Sequence, residues 1–245
     1  MGVPTQPRRM NIGITERGDA AVSTEWTSWV YSNKPSILIT KDPMTLYEML
    51  AAHQELCLFP ESLNIIVHCT ITGHGGSVLE PGAPKPEHAL NGYRKLIELL
   101  GATRVILRID PILIGYAGGV ELAQEIFQYR MGTRVRISFL DNYPHVKKRF
   151  MLAGLNPLPY DFHADLTERQ RVAALFPEAE ICGEPGFTCT GCVSETDCQI
   201  LGVEPDTAPA GQRTACRCLA NKIELLNNRH LCPHGCLYCY WKDPS

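Results

Sequence analysis

The chain alternates between short apolar runs typical of β-strands and longer stretches in which apolar residues recur at helical spacing. The strand-like runs lie at 36–40, 64–72, 104–110, 135–140 and 178–182. Helical segments follow at 43–57, 89–100, 119–131, 142–154 and 168–176, the last opened by the capping-box pattern Thr167-x-x-Gln170. Strands that alternate with helices of this length predict βαβ units and a parallel sheet.

Five or six such units predict an α/β fold, a partial (β/α) TIM-like barrel over residues 1–180. A doubly wound sheet is the alternative, and in both folds the functional groups lie at the carboxyl ends of the strands. After residue 182 the alternation stops and loops are expected. Residues 181–245 therefore form a cysteine-rich extension, which we expect to pack on the barrel because its apolar content is low.

Charge and hydropathy narrow the functional classes. Lys and Arg number 23 against 26 Asp and Glu, a net charge of −3, so no basic surplus indicates a nucleic-acid backbone or an anionic membrane as partner. No run approaches the roughly 18 apolar residues of a membrane span, and the first residues lack a secretory signal. We expect a soluble, cytoplasmic protein without a membrane partner.

Cysteine is concentrated in the extension, which holds nine of the eleven in the chain. Crowded thiols in a reducing compartment bind metal more often than they form disulfides. The nine are Cys182, Cys189, Cys192, Cys198, Cys216, Cys218, Cys232, Cys236 and Cys239. Cys57 and Cys69 fall in a predicted helix and strand, where we expect small buried apolar residues.

Cys232, Cys236 and Cys239 form a C-x3-C-x2-C array. Three thiolates can hold three irons of a [4Fe-4S] cluster and leave the fourth iron open. The alternative is a structural zinc ion, with His230 or His234 as the fourth ligand.

With Tyr238 before its last cysteine, the array resembles the C-x3-C-x-aromatic-C motif of the radical S-adenosylmethionine (radical SAM) superfamily. That resemblance implies a catalytic [4Fe-4S] cluster whose open iron binds S-adenosylmethionine, with Tyr238 beside the cofactor. It also implies one-electron cleavage of the cofactor to a 5'-deoxyadenosyl radical that abstracts hydrogen. A flavodoxin or ferredoxin-like donor would supply the electron. The superfamily motif usually follows the first barrel strand, whereas here it follows every other predicted element.

A wider set of segments resembles an uncharacterised bacterial family defined by a radical-SAM-like cysteine cluster at its C-terminus. The segments are ITKDP (39–43), TITGHGG (70–76), LEPGAP (79–84), RIDPI (108–112), SFLDNY (138–143), CRC (216–218) and CPHGCLYCYW (232–241). The resemblance favours Cys182, Cys192, Cys216 and Cys218 as ligands of an auxiliary [4Fe-4S] cluster. The residues alone leave open a set of Cys182, Cys189, Cys192 and Cys198, or a structural zinc.

Polar residues near strand ends are candidates for the active site. Arg108 and Asp110 share a strand face, as a structural ion pair or as substrate ligands. The candidate catalytic residues are Arg108, Asp110, His74 and Asp141. Thr72 and the glycines Gly73, Gly75 and Gly76 resemble the superfamily segment that binds the methionyl amine, with a bare turn as the alternative. His68, at a strand centre, is expected to be a hydrogen-bonded core histidine.

These features predict a radical SAM enzyme with an auxiliary cluster. TITGHGG resembles its counterpart in the spore photoproduct lyase branch, which implies a modified nucleobase such as hypermodified thymidine as substrate; a peptide or small metabolite is the alternative. The rival from another class is a non-catalytic iron-sulfur or zinc protein.

Overall fold

The computed structural model describes residues 10–56, 63–208, 210, 214–226 and 232–241, with the side chains of 53–56 left aside. In these ranges the strands are β1 Ile12–Ile14, β2 Ser36–Thr40, β3 Ile65–Thr70, β4 Val105–Ile112, β5 Arg134–Phe139, β6 Glu180–Ile181 and β7 Lys222–Glu224. The helices are α1 Thr27–Tyr31, α2 Pro43–Leu56, α3 Pro86–Leu100, α4 Gly119–Gln128, α5 Pro144–Leu152, α6 Leu166–Ala173 and α7 Glu195–Leu201.

The strands form one parallel sheet in the order β6-β5-β4-β3-β2-β1-β7. From β1 to β6 each strand lies beside its predecessor, so the order never reverses as it would in a doubly wound sheet. The sheet curls into a half-barrel, and the two short strands β6 and β7 form its two edges. The predicted α/β half-barrel is confirmed, and the doubly wound alternative is wrong.

Alternation along the strands sends side chains to two different cores. Leu38, Val67 and Leu107 point to the convex face and pack with residues of the surrounding helices. Ile37 and Ile106 point to the concave face, where they meet apolar residues from the segment around α7. The concave face is therefore filled by the cysteine-rich part of the chain.

Several elements differ from the sequence-based predictions. The predicted capping box at Thr167 is wrong, because α6 is capped two residues earlier by Asp165, whose carboxylate accepts from the Thr167 amide. Strand β1 was not predicted, and the stretch after residue 182, expected to be loops, contains α7 and β7. Helix α7 opens with a capping box formed by Ser194 and Asp197. Strand β7 pairs with β1 and so belongs to the same sheet.

None of the helices within the described ranges is both long and apolar enough to span a membrane.

Candidate functional site

A cavity of about 550 Å³ opens at the carboxyl ends of the strands. Residues that follow successive strands line it, including Lys41 after β2, Asp141 after β5 and Cys182 after β6. Both groups of cysteines predicted as metal ligands also line it: Cys182, Cys192, Cys216 and Cys218, together with Cys232, Cys236 and Cys239. Two cysteine groups that are separate in sequence thus share one space.

The loop at 232–241 is held against the segment 79–84 by backbone hydrogen bonds. The Gly82 amide donates to the His234 carbonyl at 3.0 Å, and the Leu237 amide donates to the Leu79 carbonyl at 3.0 Å. A Cβ atom on Gly82 would lie 2.0 Å from the Pro233 carbonyl oxygen, so only glycine fits there. The LEPGAP and CPHGCLYCYW segments are therefore one structural unit.

His234 fastens the same loop to the opposite side of the cavity. Its Nε2 lies 2.7 Å from Oδ2 of Asp19, and its Nδ1 lies 3.3 Å from the Gly82 carbonyl. Both partners accept hydrogen bonds, so the ring carries two N–H groups and a positive charge. Burial opposes this charge, but Asp19 raises the pKa of His234 above its usual value.

With both ring nitrogens engaged, His234 has none left for a metal ion. The predicted zinc alternative with His234 as fourth ligand would require the ring to give up one of these partners. His230, the other histidine considered, lies outside the described residues.

A half-buried lysine links the loop to two neighbouring segments. Lys41 Nζ donates to Glu80 at 2.7 Å and to the Tyr238 hydroxyl at 3.2 Å. Glu80 in turn accepts from the Thr72 hydroxyl at 2.7 Å. Burial would lower the pKa of Lys41, but Glu80, and then Cys236, raise it, so the ammonium stays charged beside the cysteine loop. The Tyr238 ring is buried and lines the cavity.

Arg149 on α5 holds the far end of the loop. Its guanidinium donates to the Cys239 carbonyl at 2.6 Å and to the Trp241 carbonyl at 2.7 Å. Within the loop, the Cys239 amide donates to the Cys236 carbonyl at 3.1 Å. Cys232 is exposed whereas Cys236 and Cys239 are half-buried, and burial raises the pKa of Cys236 to about 12.

The structure brings together the upstream cysteines that the family resemblance favoured. The sulfurs of Cys182 and Cys192 are 3.8 Å apart, and the Cys192 amide donates to the Cys218 sulfur at 3.1 Å. A hydrogen bond with Cys218 lowers the pKa of Cys216 to about 7, which favours the thiolate that metals bind.

The remaining cysteines lie apart from this group. Cys189 contacts the backbone of Glu184, Cys198 is buried on α7, and neither lines the cavity. Cys69 is buried in β3 as predicted, and Cys57 lies outside the described residues. Across the described residues, no three His, Cys, Asp or Glu side chains already stand as a ready-made metal site.

The interior of the barrel carries charged residues beneath the cavity. Arg108 pairs with Asp110, which also accepts from Ser138, so the predicted ion pair on one strand face is present. Arg136 is fully buried and pairs with Glu180.

His68 is buried as predicted, but the prediction that it is hydrogen-bonded is wrong. Neither ring nitrogen has a partner among the described residues. The nearby arginines are donors only, so they offer no acceptor to the ring N–H. Burial and then Arg136 and Arg108 hold its pKa well below the usual value.

The glycine-rich loop does not line the cavity, and neither do Thr72 and His74. Gly73 and Gly76 have positive φ, and a Cβ on Gly75 would lie 1.9 Å from the Pro84 carbonyl, so the loop is a tight turn packed on 84–85. His74 is buried edge-on against Tyr116, and burial lowers its pKa. Thr72 reaches the site only indirectly, through Glu80.

Asp141 does line the cavity, and it pairs with a histidine that the sequence analysis did not single out. His163 Nδ1 lies 2.9 Å from Asp141 Oδ1. Asp19, Glu80, Arg149 and His163 were all missed, because each lies in a loop or helix whose sequence carries no recognisable spacing.

A match to a protein family spans most of the elements described above. Residues 34–241 match the family described as Domain of unknown function (DUF1848). The chain belongs to the DUF1848 family. The DUF1848 match includes both cysteine groups and segment 79–84, but it leaves out β1 and Asp19. Neither a curated protein nor a solved structure matches the chain.

Proposed function

We propose that this protein is a radical SAM enzyme whose active site is the cavity at the carboxyl ends of the strands. The observation that carries the proposal is the fixed loop of Cys232, Cys236 and Cys239, which offers three thiols to the cavity while His234 is committed elsewhere. Three soft thiolates without a fourth protein ligand suit a [4Fe-4S] cluster with one open iron. When bound, that cluster and S-adenosylmethionine would supply a carbon radical able to abstract hydrogen.

The chain's own residues support this chemistry by holding the loop and its charge. Asp19, Gly82 and Arg149 fix the loop at three points, so the thiols need little reordering. Burial raises the pKa of Cys236, and the charge of the Lys41 ammonium opposes that rise. Tyr238 closes one wall of the cavity and limits the access of water.

The upstream thiols would hold the auxiliary [4Fe-4S] cluster. Four thiolates leave no iron open, so this cluster would transfer electrons to or from the cavity that it borders. The fit rests on the donor set: four thiols gathered on one side of the cavity, with Cys216 already acidic. A flavodoxin or ferredoxin-like protein would be the external electron donor.

For the substrate we propose a small molecule. The first candidate is a modified nucleobase such as hypermodified thymidine. A volume of about 550 Å³ is that of a small-molecule site. Tyr143, Tyr240 and Trp241 border it and offer aromatic faces to a planar ring. Arg108, Asp110 and Asp141 supply the polar contacts at its floor and rim, where a substrate would be oriented.

The test is anaerobic purification followed by reaction with dithionite and S-adenosylmethionine. We expect a brown protein with at least four irons per chain that releases 5'-deoxyadenosine. Cys236→Ala should abolish cleavage and retain the absorbance of the upstream cluster, whereas Cys69→Ala, a buried core thiol, should leave cleavage intact. Iron without cleavage in the wild type would refute the enzyme proposal, and zinc with no iron would refute both clusters.

One observation favours a second candidate, a zinc-binding module. Tetrahedral zinc with bonds of about 2.3 Å sets its thiolates about 3.8 Å apart, which equals the separation of the Cys182 and Cys192 sulfurs. A four-iron cluster spreads its thiolates further. Metal analysis of a chain carrying Ala at 232, 236 and 239 distinguishes the two: zinc alone would make the upstream site structural.

A further inference from the structure

Two arginines inside the barrel have hydrogen-bond donors that the described part of the chain does not satisfy. Nε of Arg108 and Nη1 of Arg136 are buried without an acceptor there. The Arg108 side chain is 11% exposed and that of Arg136 only 1%. A buried donor with no acceptor is unfavourable by about 1–3 kcal/mol, so these groups point to an acceptor that belongs to a bound species.

The two arginines are neighbours on the sheet. Arg108 on β4 is in register with Arg136 on β5, and Arg136 is in register with Glu180 on β6. Cys182 follows two residues after Glu180, so it projects from the same face one step nearer the strand ends. Arg108 and the four upstream thiols line the same cavity. Sulfur atoms are therefore among the acceptors that this arrangement offers.

The carboxylates nearby use other atoms of the two guanidinium groups. Asp110 takes Nη2 of Arg108, while Glu180 takes Nε and Nη2 of Arg136. Asp197 lies 3.6 Å from Nη2 of Arg136 as well. These pairs hold each guanidinium plane in place and leave the unpartnered N–H groups fixed in direction. The thiols of Cys192 and Cys182 also contribute to raising the pKa of both arginines, which indicates that charge on these sulfurs would be felt at both sites.

We infer that Arg108 and Arg136 are positioning residues for the upstream thiol site, and that their free N–H groups donate hydrogen bonds to the sulfur atoms of the group bound there. This inference rests on the auxiliary cluster of the proposed function. A one-electron reduction adds one negative charge to a cluster that four thiolates already make anionic. Donors aimed at its sulfurs stabilise the reduced state and so raise its reduction potential.

The test uses the full chain with Cys232, Cys236 and Cys239 replaced by Ala, so that iron and sulfide can assemble only at the upstream thiols. Its readout is the midpoint potential from a dithionite titration followed by absorbance, which needs no enzyme activity. We expect Arg108→Met to reduce the equilibrium constant for reduction about tenfold, a shift of about 59 mV to lower potential. Arg108→Lys keeps the charge without Nε and should recover only part of the shift.

Arg136→Lys gives a second measurement that keeps a cation beside Asp197. The matched control is Arg104→Met, because Arg104 bonds the backbone carbonyls of Ile65 and Ile200 and does not line the cavity; its potential should equal that of the parent. Unchanged potentials in both Arg108→Met and Arg136→Lys, with full iron content, would overturn the inference alone. A parent chain that takes up no iron would overturn the auxiliary cluster as well.

Discussion

His234 and Asp19, which are 215 positions apart in the sequence, form a buried pair with 2.7 Å between Nε2 and Oδ2. Asp19 also accepts from the Lys41 amide and the Thr40 hydroxyl, both at 2.7 Å. One carboxylate thus joins the loop after β1, the end of β2 and the cysteine loop. Burial would raise its pKa, but the hydrogen bond and charge of His234 lower it below the usual value.

Asp19→Asn should destabilise the fold and loosen the cysteine loop. The amide keeps the size of the side chain but removes the charge, and hydrogen bonds to charged groups contribute about 1.5–3 kcal/mol each. We expect the free energy of unfolding in urea to fall by about 2 kcal/mol. Asp161→Asn, which removes an exposed carboxylate paired with Lys147, is the control and should change it little. Equal effects of the two variants would mean that the buried pair adds nothing.

Gly82→Ala should displace the cysteine loop without disturbing the upstream thiols. Its Cβ would collide with the Pro233 carbonyl, which is backbone and cannot turn aside as a side chain would. We expect reconstituted protein to lose about four irons per chain, the content of one cluster, together with all cleavage of S-adenosylmethionine. The control is Gly202→Asn, where the left-handed backbone suits Asn and a Cβ meets nothing within 4 Å. Full iron content in Gly82→Ala would show that the loop tolerates the shift.

Substituting single upstream cysteines should distinguish the cysteines that bind the metal from those that do not. In the chain that lacks the three thiols of the 232–241 loop, Cys216→Ser should lower the bound metal severalfold, because a hydroxyl is a far poorer ligand for a soft metal. Cys189→Ser and Cys198→Ser should retain the metal, since neither side chain lines the cavity. Metal analysis after gel filtration measures all three. Loss in Cys198→Ser with retention in Cys216→Ser would favour the other set of four cysteines.

His68 should make the fold less stable as the pH falls. Its pKa lies well below the usual value because of burial and the nearby arginines. Below about pH 6.5 the unfolded chain therefore binds a proton on this histidine that the folded chain does not bind. The free energy of unfolding keeps its full value above that pH and declines by up to about 1.4 kcal/mol per pH unit below it.

His68→Leu removes this titration and fills a similar volume. We expect the apparent thermal midpoint of the variant to fall less than that of the wild type between pH 7.5 and pH 5. His88→Gln changes an exposed histidine on α3 and should leave the pH dependence unaltered. Parallel curves for His68→Leu and the wild type would contradict the assignment.

The α/β half-barrel could be predicted because its strands and helices carry strong periodicity. Strand β2 begins and ends where its apolar run does, and α3 ends at the predicted Gly101. Strands β1 and β7 are three residues long, too short for a period to be visible, and they pair only with each other and β2. Such short strands are specified by tertiary contacts rather than by local sequence.

The thiols of the candidate site could be predicted from the sequence, but the residues that hold the cysteine loop in place could not. Cys232 stands in a spacing typical of metal ligands, Cys182 belongs to the set that the family resemblance favours, and both line the cavity. Asp19 and Arg149 act through single long-range contacts that no spacing encodes. Gly75 lies in the segment predicted to bind the cofactor, and in the structure its small size allows a close approach to Pro84.

The two edges of the half-barrel have a consequence for how the molecule is held closed. Cys182 directly follows β6 at one edge, Cys216 and Cys218 precede β7 at the other, and contacts of Cys192 with Cys182 and Cys218 run between them. A metal or cluster on these thiols would be a clasp across a gap that none of the described strands fills. Loading and stripping the metal should then change the hydrogen-exchange rates of the β6 and β7 amides together, although the two strands lie at opposite ends of the sheet order.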